Sequence, residues 1–147
     1  IQAIKDYVAG GGFLVLANST HRLKFGNRMV DDNEDWRSLN ALSERFGISY
    51  RFGSVYNRLF WVEKKSHPLV ERVSYQELLP GNSVPIRMEE GQVLAWAEGK
   101  IVIGLVDYGD AGGQVLALAD ISLLGNDAGM PRSLKLWQNL AQYARSR

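Results

Sequence analysis

The chain contains no cysteine, and this absence excludes more chemistry than any other feature of the sequence. Without a thiol there can be no disulfide, no thiolate-bound metal and no cysteine nucleophile. Histidine is almost as scarce, because only His21 and His67 are present. Two imidazoles without a thiol do not make up the ligand set of a typical zinc site. The sequence therefore predicts no metal and no cofactor.

A strong net charge and long apolar runs are also missing. Lysine and arginine together number 17 against 16 for aspartate and glutamate, so nothing in the overall charge favours a nucleic-acid partner. No apolar run approaches the roughly 20 residues that cross a bilayer. We therefore expect neither nucleic-acid binding nor direct insertion of this segment into a membrane. The composition does not indicate a cellular compartment.

The residues that are present fit one folded domain. With 147 residues, of which 46% are hydrophobic and 22% charged, the chain is long enough to bury a core. No internal repeat or low-complexity linker divides it, so residues 1–147 are interpreted as a single domain. Because the sequence opens inside a predicted helix without an initiator methionine, we expect this domain to be a fragment of a larger protein.

Helix and strand patterns follow one another along the chain. Residues 1–9 show helical apolar spacing, and three glycines end that helix before the apolar strand 13–17. A helix, a glycine stop and a buried strand are typical of half a βαβ unit in a parallel sheet. A parallel sheet of this kind would have a strand before the helix, and this sequence contains none. We therefore expect the predicted sheet to lack its first strand.

The rest of the chain extends this pattern. A helix is predicted over residues 36–46 and a short strand over 48–52. Three strands joined by tight turns, at 85–88, 93–97 and 101–106, indicate antiparallel strands appended to the sheet. An apolar strand at 114–119 precedes a last helix at 133–147. The apolar stripe of this last helix consists of Leu134, Trp137, Leu140, Ala141 and Ala144.

Four segments form a recognisable set: Ile4-x-x-Tyr7-Val8-x-Gly10-Gly11-Gly12 with the strand behind it, His67-Pro68-Leu69 with Val73, Gly113-x-Val115 running to Asp120-x-Ser122-x-x-x-Asn126, and Asn139-Leu140-Ala141. Together they resemble class I glutamine amidotransferase-like domains, and in particular a bacterial branch of unknown function. The resemblance implies a flavodoxin-like, three-layer α/β/α sandwich with a mainly parallel sheet. Members that hydrolyse glutamine use a cysteine with a histidine partner. Here Asn18 or Ser19 stands near the nucleophile's place, so the resemblance implies the fold without the chemistry.

Polar residues follow two of the predicted strands directly. In open α/β sheets, ligands bind outside the carboxyl ends of the strands. The residues at these ends are therefore the candidate ligand-binding residues, for a small polar ligand or a sugar. They are Asn18, Ser19, Thr20, His21, Asp120, Ser122 and Asn126.

Each of these groups has a structural alternative and a catalytic one. Asn, Ser and Thr side chains can satisfy the backbone of their own loop, and Asp120 can cap the helical turn behind it. Ser19 with His21 as its base, or Asp120 as a base, would instead make a hydrolase. No glycine flanks Ser19 as a nucleophile elbow requires, so we assign no catalytic residue. The sequence thus predicts a non-catalytic ligand-binding or protein-interaction module, which contacts other domains of its own longer chain or a protein partner.

Overall fold

The computed structural model describes residues 1–18, 21–25, 28–32, 35–51, 55, 61–62, 66–73, 83–124, 126–127, 130–131 and 133–147. Its α-helices in these ranges are α1 (Gln2–Ala9), α2 (Asp35–Ser43) and α3 (Leu134–Arg145). Short 3-10 helices span Glu44–Phe46 and Ile121–Leu124. The strands are β1 (Phe13–Ala17), β2 (His21–Phe25), β3 (Arg28–Asp32), β4 (Ile48–Tyr50), β5 (Trp61–Val62), β6 (Ile86–Met88), β7 (Gln92–Ala97), β8 (Lys100–Tyr108), β9 (Gly113–Leu118), β10 (Asn126–Asp127) and β11 (Met130–Pro131).

A seven-stranded mixed sheet organises the domain, with strand order β1-β9-β8-β6-β4 and with β7 and β5 branching from β8. Strand β1 runs parallel to β9, in a register that starts at Phe13 opposite Gln114. Every other pairing of described strands is antiparallel. The β8–β9 connection is too short for a parallel crossover, which needs about a dozen residues or more. The tight turn at Asp110 therefore forces the two strands to be antiparallel.

The sheet curls so far that its two end strands meet. Although β4 and β1 stand at opposite ends of the strand order, the buried Tyr50 hydroxyl donates to the carbonyl oxygen of Leu16 at 3.0 Å. The buried amide of Asn40 on α2 holds Tyr50 from the other side. It donates to the Tyr50 carbonyl at 2.9 Å and accepts from the Tyr50 N–H at 2.7 Å. The result is a curled half-barrel rather than an open sheet.

The predicted flavodoxin-like, three-layer α/β/α sandwich is therefore wrong. Antiparallel pairings dominate the sheet, and the described ranges contain three α-helices, too few to cover both faces of a doubly wound parallel sheet. The strand over residues 13–17 has the expected bounds, and the strands β6, β7 and β8 are antiparallel as expected, although β6 and β7 each pair with β8 and not with one another. The error lies in how these elements pair, because apolar strand patterns do not specify their neighbours.

Helix α1 is fixed to the sheet at its C-terminal end. Val8 is fully buried, and Gly113 at the start of β9 approaches so closely that an added Cβ would collide with the Val8 carbonyl oxygen. Ile1, which precedes the helix, and Tyr7 within it are each 58% exposed, so Val8 is the residue that the helix buries.

Helix α3 buries a different face from the one that its apolar stripe predicted. The buried residues are Leu136 and Asn139, whose amide donates to two carbonyls of the turn at residues 66–73. Leu134 and Trp137 of the predicted stripe are 53% and 40% exposed. None of the helices in the described ranges is long and apolar enough to cross a membrane.

Candidate functional site

The two groups of candidate residues begin side by side at one end of the sheet. Because β1 and β9 are parallel and in register, Asn18 and Asp120 emerge together at their carboxyl ends. The Asn18 N–H donates to the Leu118 carbonyl at 3.2 Å, and the Asn18 carbonyl accepts from the N–H of Ile121 at 2.5 Å. The expected juxtaposition of these two strand ends is therefore present. We call Asn18, Asp120 and the neighbouring Ser83 the strand-end cluster.

The strand-end cluster is closed rather than open to solvent. Asn18 is 6% exposed, Asp120 is 2% exposed and Ser83 is fully buried. The Ser83 hydroxyl lies 3.5 Å from Oδ2 of Asp120, at the long limit of a hydrogen bond. The chain next to Ser83 covers this end of β9, because the Val84 N–H donates to the Ala119 carbonyl at 2.8 Å. These polar side chains therefore lie inside the protein.

The other candidate residues are placed less completely. Ser19 and Thr20 lie outside the described residues. The backbone of His21 begins β2 opposite Asp32, Ser122 belongs to the 3-10 helix Ile121–Leu124, and Asn126 belongs to β10. The Leu123 N–H donates to the main-chain carbonyl of Asp120 at 3.2 Å, which closes the turn after β9. A capping role for the Asp120 carboxylate stays a prediction.

In the strand-end cluster a side-chain contact joins Ser83 to Asp120, and main-chain bonds of Asn18 tie β1 to β9 and to the turn behind it. Tyr50, which reaches Leu16 two residues before Asn18, is held neutral because burial raises its pKa far above the usual value. Within the described ranges, no three histidine, aspartate or glutamate side chains are placed to hold a metal ion.

A second region carries features that the sequence interpretation missed. Leu134, Trp137, Ala141 and Ala144 are exposed on one side of α3, and Ile121 beside them is 53% exposed. The Trp137 indole N–H donates to the Leu124 carbonyl at 3.2 Å, which joins α3 to the 3-10 helix that carries Ile121. We call these five residues the α3 surface. The spacing was visible in the sequence, but only the structure shows that four residues of the stripe face outward while Leu140 packs against the core.

Two pockets lie elsewhere on the described surface. One of about 290 Å³ opens beside β4 and β6 and is lined by Glu44, Arg51, Arg87 and Glu89 among others. The other, of about 410 Å³, lies between the turn at residues 66–73 and α3. Neither is lined by a residue of the strand-end cluster. These two pockets therefore lie apart from Asn18 and Asp120, although Pro68 and Asn139 of the quoted sequence motifs line the second one.

Comparison with known proteins identifies a shared fold but no family. No family model matches the chain, and no curated protein matches it. The cytoplasmic protein STM3548 from Salmonella typhimurium superposes with a TM-score of 0.60 at 16% identity, over 97% of this chain and 58% of that one. At this identity the likeness shows the fold alone. The amidotransferase-like assignment therefore stays a prediction.

A second similar structure is a β-galactosidase from Rahnella sp. R3. It superposes with a TM-score of 0.48 at 16% identity, and the match covers 98% of this chain but only 20% of the enzyme. A likeness of this strength supports no statement about the chain. This chain thus spans 58% of the length of the Salmonella protein and a fifth of the length of the Rahnella enzyme.

Proposed function

We propose that this domain is a non-catalytic protein-interaction module that contacts its partner through the α3 surface. The observation that carries the proposal is the exposure of Leu134 and Trp137 on a helix whose other face is packed. Grouped exposed apolar side chains on a folded domain are typical of an interaction site. The partner is a separate protein or another domain of a longer chain.

The α3 surface has the composition and rigidity of a binding anchor. Tryptophan is enriched among the residues that dominate binding energies, and the hydrogen bond from Trp137 to Leu124 orders its ring before any partner arrives. Burial of the exposed parts of Leu134 and Trp137 would contribute about 1 kcal/mol each. Ala141 and Ala144 add small side chains that allow a partner backbone to approach closely.

The non-catalytic part of the proposal is supported by the closure of the strand-end cluster. Asp120 is 2% exposed and Asn18 is 6% exposed, and both make main-chain contacts within the described part of the protein. The competing hydrolase would act through Ser19 and His21, or through Asp120. Turnover of a glutamine or ester substrate that disappears in Ser19→Ala or Asp120→Asn would refute a non-catalytic role.

Site-specific photo-crosslinking in the native cell tests the interaction. A photoreactive residue in place of Ala141 should give a defined protein adduct, whereas the same residue in place of Gln142, which is also exposed on α3 but lies off the α3 surface, should not. Leu134→Gln should abolish the adduct from position 141, and Ile4→Gln on α1 should leave it intact. Equal adducts from both positions, or loss with Ile4→Gln alone, would contradict the proposal.

A further inference from the structure

The pocket of about 410 Å³ lies on the opposite flank of α3 from the α3 surface. Its size falls within the range of small-molecule sites, which begins at about 300 Å³. One wall is a row of polar residues on α3, and the other is the turn at residues 66–73. Lys135, Asn139, Gln142 and Ser146 follow one another at helical spacing, so their side chains lie on one face.

Asn139 is the best-ordered polar group of this pocket. It is 3% exposed, and its amide nitrogen donates to the carbonyls of Leu69 at 3.2 Å and Glu71 at 2.9 Å. Because only the NH2 side of an amide can donate, these two bonds fix which way the side chain is turned. Within the described part of the chain, no group donates to its Oδ1. The oxygen is thus held in place with its acceptor capacity unused.

The turn opposite Asn139 is held in an unusual conformation. Arg72 has a φ of 57°, in the left-handed region that residues other than glycine rarely adopt. Buried neighbours hold this turn in place, since Leu69 is fully buried and Val70 is 1% exposed. The two bonds from Asn139 tie the same turn to α3. One wall of the pocket is therefore ordered before any ligand binds.

Two cations, Lys135 and Arg72, and one carboxylate, Glu71, line the pocket, and this excess of positive charge favours an anion that also carries hydrogen-bond donors. Lys135 projects from α3 and makes no ion pair with any described residue, and Arg72 on the facing turn is only loosely paired with Glu71, at 3.8 Å. Ser146 donates its hydroxyl proton to the Tyr143 carbonyl at 2.9 Å, which leaves its oxygen lone pairs as acceptors. Asn139 Oδ1 and Ser146 Oγ can therefore accept hydrogen bonds from a ligand, and Lys135 and Arg72 can bind its negative charge.

We propose that this pocket binds a small hydroxylated carboxylate. The carboxylate lies between Lys135 and Arg72, and hydroxyl groups donate to Asn139 Oδ1 and Ser146 Oγ. This site does not depend on the α3 surface, because the two occupy different flanks of the helix. A partner on the α3 surface and a ligand in the pocket can bind at the same time.

Calorimetric titration of the protein with D-gluconate, D-glucuronate and L-malate tests the site. At least one of these should bind saturably at millimolar concentration or below. Glucose, which has hydroxyls without a carboxylate, and acetate, which has a carboxylate without hydroxyls, should bind at least tenfold more weakly. No saturable binding of any hydroxylated carboxylate, or equal binding of acetate, would overturn the proposal.

Matched variants separate a real site from nonspecific charge attraction. Lys135→Gln should weaken binding at least tenfold, whereas Arg145→Gln removes the same charge from an exposed position outside the pocket and should change binding less than twofold. Ser146→Ala should weaken binding of the hydroxylated carboxylate but leave the affinity for acetate unchanged. Equal losses in Lys135→Gln and Arg145→Gln would show that only net charge matters. Circular dichroism of each variant confirms that the fold is retained.

Discussion

Two regions of this protein reverse the usual distribution of polar and apolar side chains. At the carboxyl ends of β1 and β9, Asn18 and Asp120 are polar and buried, whereas on the outer side of α3, Leu134 and Trp137 are apolar and exposed. Buried polar groups persist where they are bonded within the protein, and grouped exposed apolar ones mark contact with something outside it. From this contrast we expect the first region to stabilise the fold and the second to take part in binding.

The largest loss of stability is expected when Asn40, a buried residue with two hydrogen bonds to the Tyr50 backbone, is replaced. Asn40→Ala removes both hydrogen bonds to the Tyr50 backbone and leaves its N–H and C=O buried without partners. We expect a loss of about 3 kcal/mol in the free energy of unfolding. Urea unfolding measures it, with Gln138→Ala on the exposed side of α3 as the control. A loss no larger than that of the control would mean that buried amides contribute little here.

A smaller loss is expected in the strand-end cluster itself. Asp120→Ala leaves the fully buried Ser83 hydroxyl without its carboxylate partner and opens a small cavity, so we expect a loss of about 2 kcal/mol. Asp110→Ala, at an exposed turn position, should cost less than about 0.5 kcal/mol. Chemical denaturation of the two variants gives the comparison. Equal stability of both would show that Asp120 is not part of the structural network.

The buried Tyr50 hydroxyl should make the free energy of unfolding depend on pH. Burial raises the pKa of Tyr50, so above the unfolded value of about 10 the unfolded chain releases a proton that the folded protein retains. Stability from this group is complete below that pH and falls as pH rises further, by up to about 1.4 kcal/mol per pH unit. Tyr50→Phe should cost about 1 kcal/mol at neutral pH and flatten this decline. A decline of unchanged slope in the variant would assign it to other groups.

The smallest effect on stability is expected on the α3 surface. Leu134→Gln replaces a side chain that is already 53% exposed, so the free energy of unfolding should change by less than about 0.5 kcal/mol. Leu136→Gln, two residues along the same helix but fully buried, should destabilise by several-fold more. Thermal unfolding of the two variants checks this. Similar losses for both would mean that the α3 surface belongs to the core.

Several elements of this fold were predictable from local patterns, but the hairpin of β2 and β3 and the pairing of the main-sheet strands were not. Apolar spacing predicts the strand over Phe13–Ala17 and the last helix. Whether β9 pairs with parallel or antiparallel neighbours depends on contacts between distant residues, and only the short β8–β9 turn carried a local signal. The curl that brings Tyr50 to Leu16 has no signature in either segment alone.

The sequence does not show whether the polar residues at the strand ends are accessible to a ligand. Two parallel strands ending in polar residues do place Asn18 beside Asp120. That this end is covered depends on Ser83 and Val84, which belong to a distant segment with no motif. The orientation of α3 was missed for a related reason. Its buried face includes Asn139, whose partners lie in the turn at residues 66–73, so hydrophobicity alone selected the wrong side.

The most direct test measures stability and binding together in two variants, Asp120→Ala and Leu134→Gln. Each is assayed for urea unfolding and, under folding conditions, for the photo-crosslinked adduct from position 141. Our account predicts that Asp120→Ala loses about 2 kcal/mol and keeps the adduct, while Leu134→Gln keeps its stability and loses the adduct. The reverse pattern, with a stable Asp120→Ala that no longer binds, would contradict the account and restore the strand-end cluster as the functional site.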